Sequence, residues 1–348
     1  MSLFKLKKLS VMKRVFFTLL TILLIGVLNS CKTDFDINAE QKDITVVYGL
    51  LDQAETTHYI KITKAFLGEQ NALVMATDPA NSNYNSEIQV KIEEYNNGTR
   101  TWFAYLNDTI INNKESGAFY SPTQKVYVFH KALNEDRRYK LTITNTETGK
   151  EVTAETLLVK DFNILSPLYY SINPQISFIT PAGKYIDGEA KWDGAVNGRL
   201  YEPTIRFHYT EINKTTLAVD STKYVDWILP SQKSAKLDGK ETLLSSYNGE
   251  TFFKILQGAI KVDNNLERKI GKVDFMLSVG GDELSTYIDL NRPSTSIIQE
   301  RPVYTNIGNG IGIFSCRHTK VLRGFSMSGL TATEVINGQY TSELGFVP

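Results

Sequence analysis

From Asp43 onward, apolar and polar positions alternate with a period of two. Ile44, Val46, Tyr48 and Leu50 share one face of an extended chain, and Ile60, Ile62 and Phe66 repeat the spacing. Ile88, Val90 and Ile92 alternate with Gln89, Lys91 and Glu93. Successive side chains of a strand point to opposite faces, so this spacing predicts half-buried β-strands. Asn97-Gly98 lies between the extended runs 87–95 and 100–106 and supplies the positive φ that a tight hairpin turn requires. A second hairpin is predicted where Tyr139, Leu141 and Ile143 lead into Glu147-Thr148-Gly149, with Val152, Ala154 and Thr156 on the return. Between Phe66 and Ser86 the alternation lapses into a polar stretch, including Asp78-Pro79-Ala80-Asn81-Ser82-Asn83, with loop composition.

Ser166-Pro167 and Asn173-Pro174 follow this set of strands, and the residue before a proline is pushed towards extended backbone. A domain boundary is expected there. Beyond it, Ala190-Lys191-Trp192-Asp193 and the run 201–212 read as further strands, with Asn197-Gly198 turning between them. In the second of these, Ile205, Phe207 and Tyr209 alternate with Arg206, His208 and Thr210. A tryptophan strand followed by a tyrosine strand resembles the start of an immunoglobulin or fibronectin type III sandwich. Two helices interrupt the pattern. Phe252, Leu256, Ala259 and Ile260 have helical spacing over 250–260, with Asn248 as cap, and Asp282 is expected to cap a second helix through Leu290. Between them Val273, Phe275, Leu277 and Val279 form another strand pattern. The fold predicted is mainly β: two β-sandwich, immunoglobulin- or fibronectin-like domains over 43–162 and 163–348, the second with two inserted helices.

Residues 1–42 follow neither period. Lys5, Lys7, Lys8, Lys13 and Arg14 precede the apolar run Val15 to Val27, and Leu28-Asn29-Ser30-Cys31 closes it. This is the layout of an export signal, and the run is too short for a permanent span of about 30 Å of hydrocarbon. The segment resembles the lipobox of bacterial lipoproteins, so residues 1–30 are read as a signal peptide and Cys31 as the lipid attachment point. A single acyl chain binds a membrane only marginally, whereas the several chains of such a cysteine attach it for good. Residues 31–42 then form a polar tether that reaches about 35 Å at about 3.3 Å per residue. Within it Asp34, Phe35 and Asp36 resemble the short acidic stretch that directs Bacteroidota lipoproteins to the outer face of the outer membrane.

Charge narrows the partners. The chain carries 38 basic and 38 acidic residues, and removing residues 1–30 takes five cations and no anions, leaving 33 against 38. Nucleic acid is excluded as an expected partner, because phosphate binding draws on clustered cations and the mature chain shows no basic stripe with interleaved aromatics. With Cys31 acylated, Cys316 has no cysteine to pair with, so stability must come from buried apolar surface.

Little downstream of Cys31 reads as chemistry. Gly308-Asn309-Gly310-Ile311-Gly312 precedes a strand pattern instead of a helix, so the glycines are expected to permit a turn and a close backbone crossing, and not to cradle phosphate. Cys316 and His318 share a strand face, an arrangement unlike that of known cysteine enzymes, whose histidine arrives from elsewhere in the fold. His58, His130, His208 and His318 lie at least 70 residues apart and give no paired-ligand spacing, so no metal and no cofactor is predicted. A carboxylate pair converging in space stays open as a hydrolase alternative. Trp102, Trp192 and Trp227 are the candidate stacking residues of a glycan or nutrient binder. Asp108-Thr109-Ile110 and Asp220-Ser221-Thr222 resemble the acceptor at which Bacteroidota O-glycosylate exported proteins, making Thr109 and Ser221 candidate attachment points.

The runs Thr286-Tyr287-Ile288, Gln299-Glu300-Arg301-Pro302 and 304–314, beginning Tyr304-Thr305-Asn306-Ile307, carry a further resemblance. Together with Gly117-Ala118-Phe119-Tyr120-Ser121-Pro122 and the strands from Trp192 to Tyr209, they resemble an uncharacterised Bacteroidota outer-membrane lipoprotein family whose members are often encoded beside TonB-dependent receptors. The resemblance implies an outer-membrane, lipid-anchored location, on the cell surface or the periplasmic face. It also implies a TonB-dependent receptor or envelope assembly as partner, and it carries over no catalytic residue. The expected function is a non-catalytic accessory or binding component. A surface glycan or nutrient binder and a hydrolase are the alternatives.

Overall fold

The computed structural model describes residues 44–66, 71–168, 172–292 and 304–348. Residues 43–348 form one compact unit. Its first part runs β1 (Thr45–Leu51), β2 (Thr57–Lys64), α1 (Ala72–Ala76), α2 (Pro79–Ser82), β3 (Ile88–Asn96), β4 (Thr99–Tyr105), β5 (Asn107–Ile111), β6 (Gln124–His130), β7 (Arg138–Asn145) and β8 (Glu151–Leu157). The second part contributes β9 (Ile164–Ser166), β10 (Gln175–Ile176), β11 (Asp187–Asp193), β12 (Leu200–Asn213), β13 (Val219–Ile228), β14 (Gln232–Lys233) and β15 (Thr242–Asn248). It then runs through α3 (Gly249–Ala259), β16 (Leu266–Gly280), α4 (Asp282–Asn291), β17 (Gly310–Met327), α5 (Gly329–Asn337) and β18 (Phe346–Val347). The chain is mainly β, as the period of two predicts.

Among the described residues the strands form three sheets: a large one in the order β13-β12-β16-β17-β1-β2-β6-β5, a four-stranded one in the order β4-β3-β7-β8, and a three-stranded one in the order β15-β11-β9. The predicted hairpins form. Asn97 and Gly98 take φ values of 47° and 84° between β3 and β4, the double positive that suits strand twist. Gly149, at φ 71°, turns β7 into β8. Val90, Ile92, Leu141, Ile143, Val152 and Ala154 of the four-stranded sheet share one core cluster with Val47, Ile60, Ile62 and Phe129 of the large sheet. In the second part, the alternate residues Tyr201, Ile205, Phe207 and Tyr209 of β12 join Phe252, Phe253 and Leu256 of α3 in that cluster.

The structure differs from the sequence reading in several places, each with a local cause. On β1 the buried set is Thr45, Val47, Gly49 and Leu51, whereas Tyr48 and Leu50 face outward. Both faces of this strand are apolar, so alternation alone does not choose between them. The stretch 66–86, read as loop, contains α1 and α2, each started by a side chain: Asn71 Oδ1 accepts from Leu73 N and Asp78 Oδ1 from Ala80 N, both at 2.9 Å. Asn248 caps α3 as predicted, its side chain accepting from Glu250 N at 2.9 Å. Asp282 does not cap α4. The cap position is Gly281, and the Asp282 carboxylate instead accepts from Arg199 Nε at 2.6 Å. A third sizeable helix, α5, joins the two expected, with the Ser328 hydroxyl accepting from Thr331 N.

The largest difference concerns the expected division at residue 162. Residues 310–316 of β17 pair in parallel with β1, and residues 317–325 of the same strand pair antiparallel with β16. One strand therefore serves both the first part of the chain and the second, and the large sheet runs unbroken across the expected boundary. The glycine-rich run allows this. Gly312 lies against Val47 of β1, at φ +109° and too close for any side chain.

Candidate functional site

Where β17 leaves β1 and joins β16, the outer surface is hollowed into an open concavity of about 780 Å³. One wall is the turn between β1 and β2. Asp52 shapes that turn through its side chain, which accepts from Ala54 N at 2.9 Å, and through its carbonyl, which accepts from Glu55 N at 3.1 Å. The other wall is β17, whose pleat sends Arg317, Thr319, Val321 and Arg323 to the hollow while the alternate residues point away. Leu50 and Tyr59, the outward residues of β1 and β2, supply its apolar floor.

Behind the hollow, on the inward side of β17, lies a buried histidine between two carboxylates. His318 Nδ1 is 3.2 Å from Asp52 Oδ1, Nε2 is 3.4 Å from Asp161 Oδ1, and the ring meets Phe162 edge-on at 5.6 Å. Lys320, two residues along, reaches Asp161 at 3.0 Å and the Phe162 carbonyl at 2.6 Å. Burial pulls the His318 pKa down, but the hydrogen bonds and charges of Asp52 and Asp161 outweigh it, and the net direction is up. Burial also opposes charge on Asp161, which Lys320 and the Phe162 backbone nevertheless hold below the usual carboxylate range. His58, beneath the same hollow, behaves oppositely. Burial lowers its pKa, although Nε2 lies 3.0 Å from the Lys131 carbonyl.

The two signs set a pH window. Because the folded pKa of His318 is raised, its contribution to stability is full below the unfolded value of 6.5 and is lost as pH rises through the folded value. Asp161 is depressed, so its contribution is present above the unfolded value of 3.8 and is lost as pH falls through the folded one. The junction is therefore held best between the carboxylate and the imidazole ranges. In an NMR titration of ring protons, His318 is expected to titrate above 6.5 and His58 below it, with Asp52→Asn lowering the His318 midpoint. A His318 midpoint below 6.5 in the unaltered chain refutes the clamp.

The remaining sequence candidates fall in several places. Cys31, Asp34, Phe35 and Asp36 lie outside the described residues. Cys316 and His318 do share the inward face of β17, but burial pushes the thiol up to about 12, and both imidazole nitrogens face carboxylates. No activated thiolate is assembled. Thr109 is half-buried in β5 opposite Val126, and Ser221 lies in β13 opposite Glu211. Trp192 and Trp227 are buried, Trp192 stacked on Tyr201 at 5.9 Å, so neither offers a surface platform. Trp102 is half-buried against Phe129 at 6.3 Å, with Lys131 Nζ 4.6 Å from its ring centre.

Buried carboxylates, which sequence reading did not single out, are matched. Glu94 accepts from Tyr139 Oη at 2.9 Å and from Thr101 Oγ1 at 2.8 Å, and Lys131 lies 3.3 Å away. Those carboxylates whose pKa is displaced, among them Glu93, Glu94, Asp161 and Glu211, are all displaced downward, opposite to the direction a general acid needs. Among the described residues no group of three or more His, Cys, Asp or Glu is placed to hold a metal ion. Two guanidiniums line the hollow. Arg317 is exposed and its side chain makes no hydrogen bond or ion pair among the described residues, where the Arg323 side chain approaches only Asp274, at 3.7 Å. Among the described residues the hollow presents guanidiniums beside an apolar floor.

The model of a protein family described as a domain of unknown function (DUF4249) matches residues 32–323, most of the chain. No protein of curated function matches it.

Proposed function

The chain belongs to the family of that domain of unknown function (DUF4249), and from this premise we propose that it is a lipid-anchored, non-catalytic accessory or binding component of the bacterial outer membrane. Its proposed partner is a TonB-dependent receptor or another envelope assembly. The observation that carries the reading is the contrast within the site. Imidazole, thiol and carboxylates that could do chemistry are buried or matched, while beside an apolar floor Arg317 is unpaired among the described residues and Arg323 is held only by a 3.7 Å approach to Asp274. The leader ending at Cys31 supports the anchor, and Asp34-Phe35-Asp36 supports exposure at the cell surface. Thr109 and Ser221 are proposed as points of glycan attachment. The glycan-binder alternative gains nothing from Trp192 and Trp227, which are inside the core.

Labelled palmitate fed to cells is expected to enter the unaltered chain and not Cys31→Ala, and only the former is expected in the outer-membrane fraction, since several acyl chains hold where one does not. Crosslinking followed by pull-down from solubilised outer membranes is expected to recover a β-barrel protein. Absence of label from the unaltered chain, or its recovery in the cytosol, refutes the anchor. Failure to recover any barrel refutes the receptor as partner, and failure to recover any envelope protein refutes the partner altogether.

A further inference from the structure

Between residues 317 and 323 the outward side chains of β17 line the hollow, and one backbone edge of the strand has no partner strand among the described residues. The ladder to β1 stops at the pair Leu51 and Cys316, and residues 317–325 pair only with β16 among the described strands. A strand paired on one side presents a row of unused N–H and C=O groups on the other. Opposite the bulge in this pairing, the Gly324 N–H is taken by Asp274 Oδ1 of β16 at 2.8 Å. Arg317 and Arg323, six residues apart, stand roughly 20 Å from one another at about 3.3 Å per residue, with Thr319 and Val321 between them. The opposite wall brings little opposing charge, because Asp52 is engaged by His318 and by its own turn, leaving Glu55.

We propose that this edge of β17 is a docking edge for an extended acidic segment of a partner protein. The segment adds as a strand beside the β1–β2 turn and places carboxylates against Arg317 and Arg323. The proposal rests on the reading of the chain as a binding component and names the partner chemistry. Extended peptides join exposed edges through main-chain hydrogen bonds and are selected by alternate side chains. Both parts are present here: an open ladder, and two guanidiniums on the face where every second side chain emerges. Guanidinium suits carboxylate geometrically, since its planar fork meets two oxygens. The competing role for these arginines is protective, charges on an edge that keep it from pairing with anything. That role predicts no binding.

The test uses the full chain in detergent and a fluorescent heptapeptide with glutamates at both ends and a Thr-Val repeat between them. It is compared with a lysine-ended counterpart and with a glutamate-ended form N-methylated at alternate amides. The glutamate peptide is expected to bind and the lysine peptide not. Arg317→Glu and Arg323→Glu are each expected to weaken binding roughly fivefold to tenfold, and Arg317→Lys less. Both side chains are exposed, so the variants are expected to keep the thermal midpoint of the parent, which certifies that they fold. N-methylation is expected to abolish binding. Equal binding of the two charged peptides, indifference to N-methylation, or no binding at millimolar peptide each overturns the proposal. So does a concentration-dependent dimer that Arg323→Glu dissolves, since the edge would then serve a second copy of the chain. A barrel protein recovered by pull-down without peptide binding overturns the docking edge alone, whereas peptide binding without a recovered barrel overturns the receptor assignment alone.

Discussion

Gly312→Ala is expected to destabilise the chain by more than about 4 kcal/mol, enough to abolish cooperative folding in a protein whose total stability is on the order of 5–15 kcal/mol. Two effects add. At φ +109° an L-residue is strained, a cost of about 1–3 kcal/mol where the surroundings impose it. The added carbon would also sit 2.0 Å from the Val47 carbonyl oxygen, a backbone atom that cannot rotate away. Val47 and Gly312 are partners in the parallel ladder, so relief requires β17 to lift from β1, which opens the sheet where its two parts join. Urea denaturation followed by tryptophan fluorescence checks this. A Gly312→Ala chain with the parent midpoint would show that the crossing is looser than described.

Arg268→Ala is expected to cost about 3–5 kcal/mol, the range for removing one partner of a buried ion pair. Arg268 and Glu211 are each about 97% removed from solvent, with Arg268 Nε and Nη2 donating to Glu211 Oε1 at 2.9 and 2.8 Å. The guanidinium does more than neutralise. It also donates to the carbonyls of Leu344 and Lys261, fastening the carboxy-terminal turn and the segment after α3 onto β16. Alanine would leave the buried carboxylate with Lys223 alone and the two carbonyls without their donor. Burial disfavours the Glu211 charge, but Lys223 and Arg268 more than compensate and hold its pKa below the usual range. Its contribution is accordingly present at neutral pH and is lost as pH falls through the folded value. The double variant Glu211→Leu with Arg268→Met is expected to recover part of the loss, because no charge is then stranded, but not all of it, because the two carbonyls stay unpaired. A loss below about 1 kcal/mol in Arg268→Ala would mean that water enters the site.

Several features were local and therefore legible without a fold. Asn97-Gly98 had to turn, since few residues besides asparagine and glycine accept two positive φ values in succession, and they do take them. The apolar spacing and the Asn248 cap place α3 within one residue of its observed ends. Alternation along β3, β7, β8 and β12 named the inward residues, because each of those strands has one apolar and one polar face. Where no local asymmetry existed the reading failed. β1 is apolar on both faces, α1 and α2 are a turn or so long, and the cap of α4 is Gly281, one residue before the aspartate expected there.

The sequence by itself determined that this chain is built of strands and where its hairpins turn. Those properties depend on backbone preference and spacing over a few residues. Only the tertiary structure decided that β17 serves both parts of the sheet, that one of its edges is left open beside two arginines, and that His318 sits between Asp52 and Asp161. Each of these joins residues far apart along the chain, 266 positions in the case of His318 and Asp52. Contacts at that separation arise from burial of the whole core and leave no periodic trace in the residues that make them.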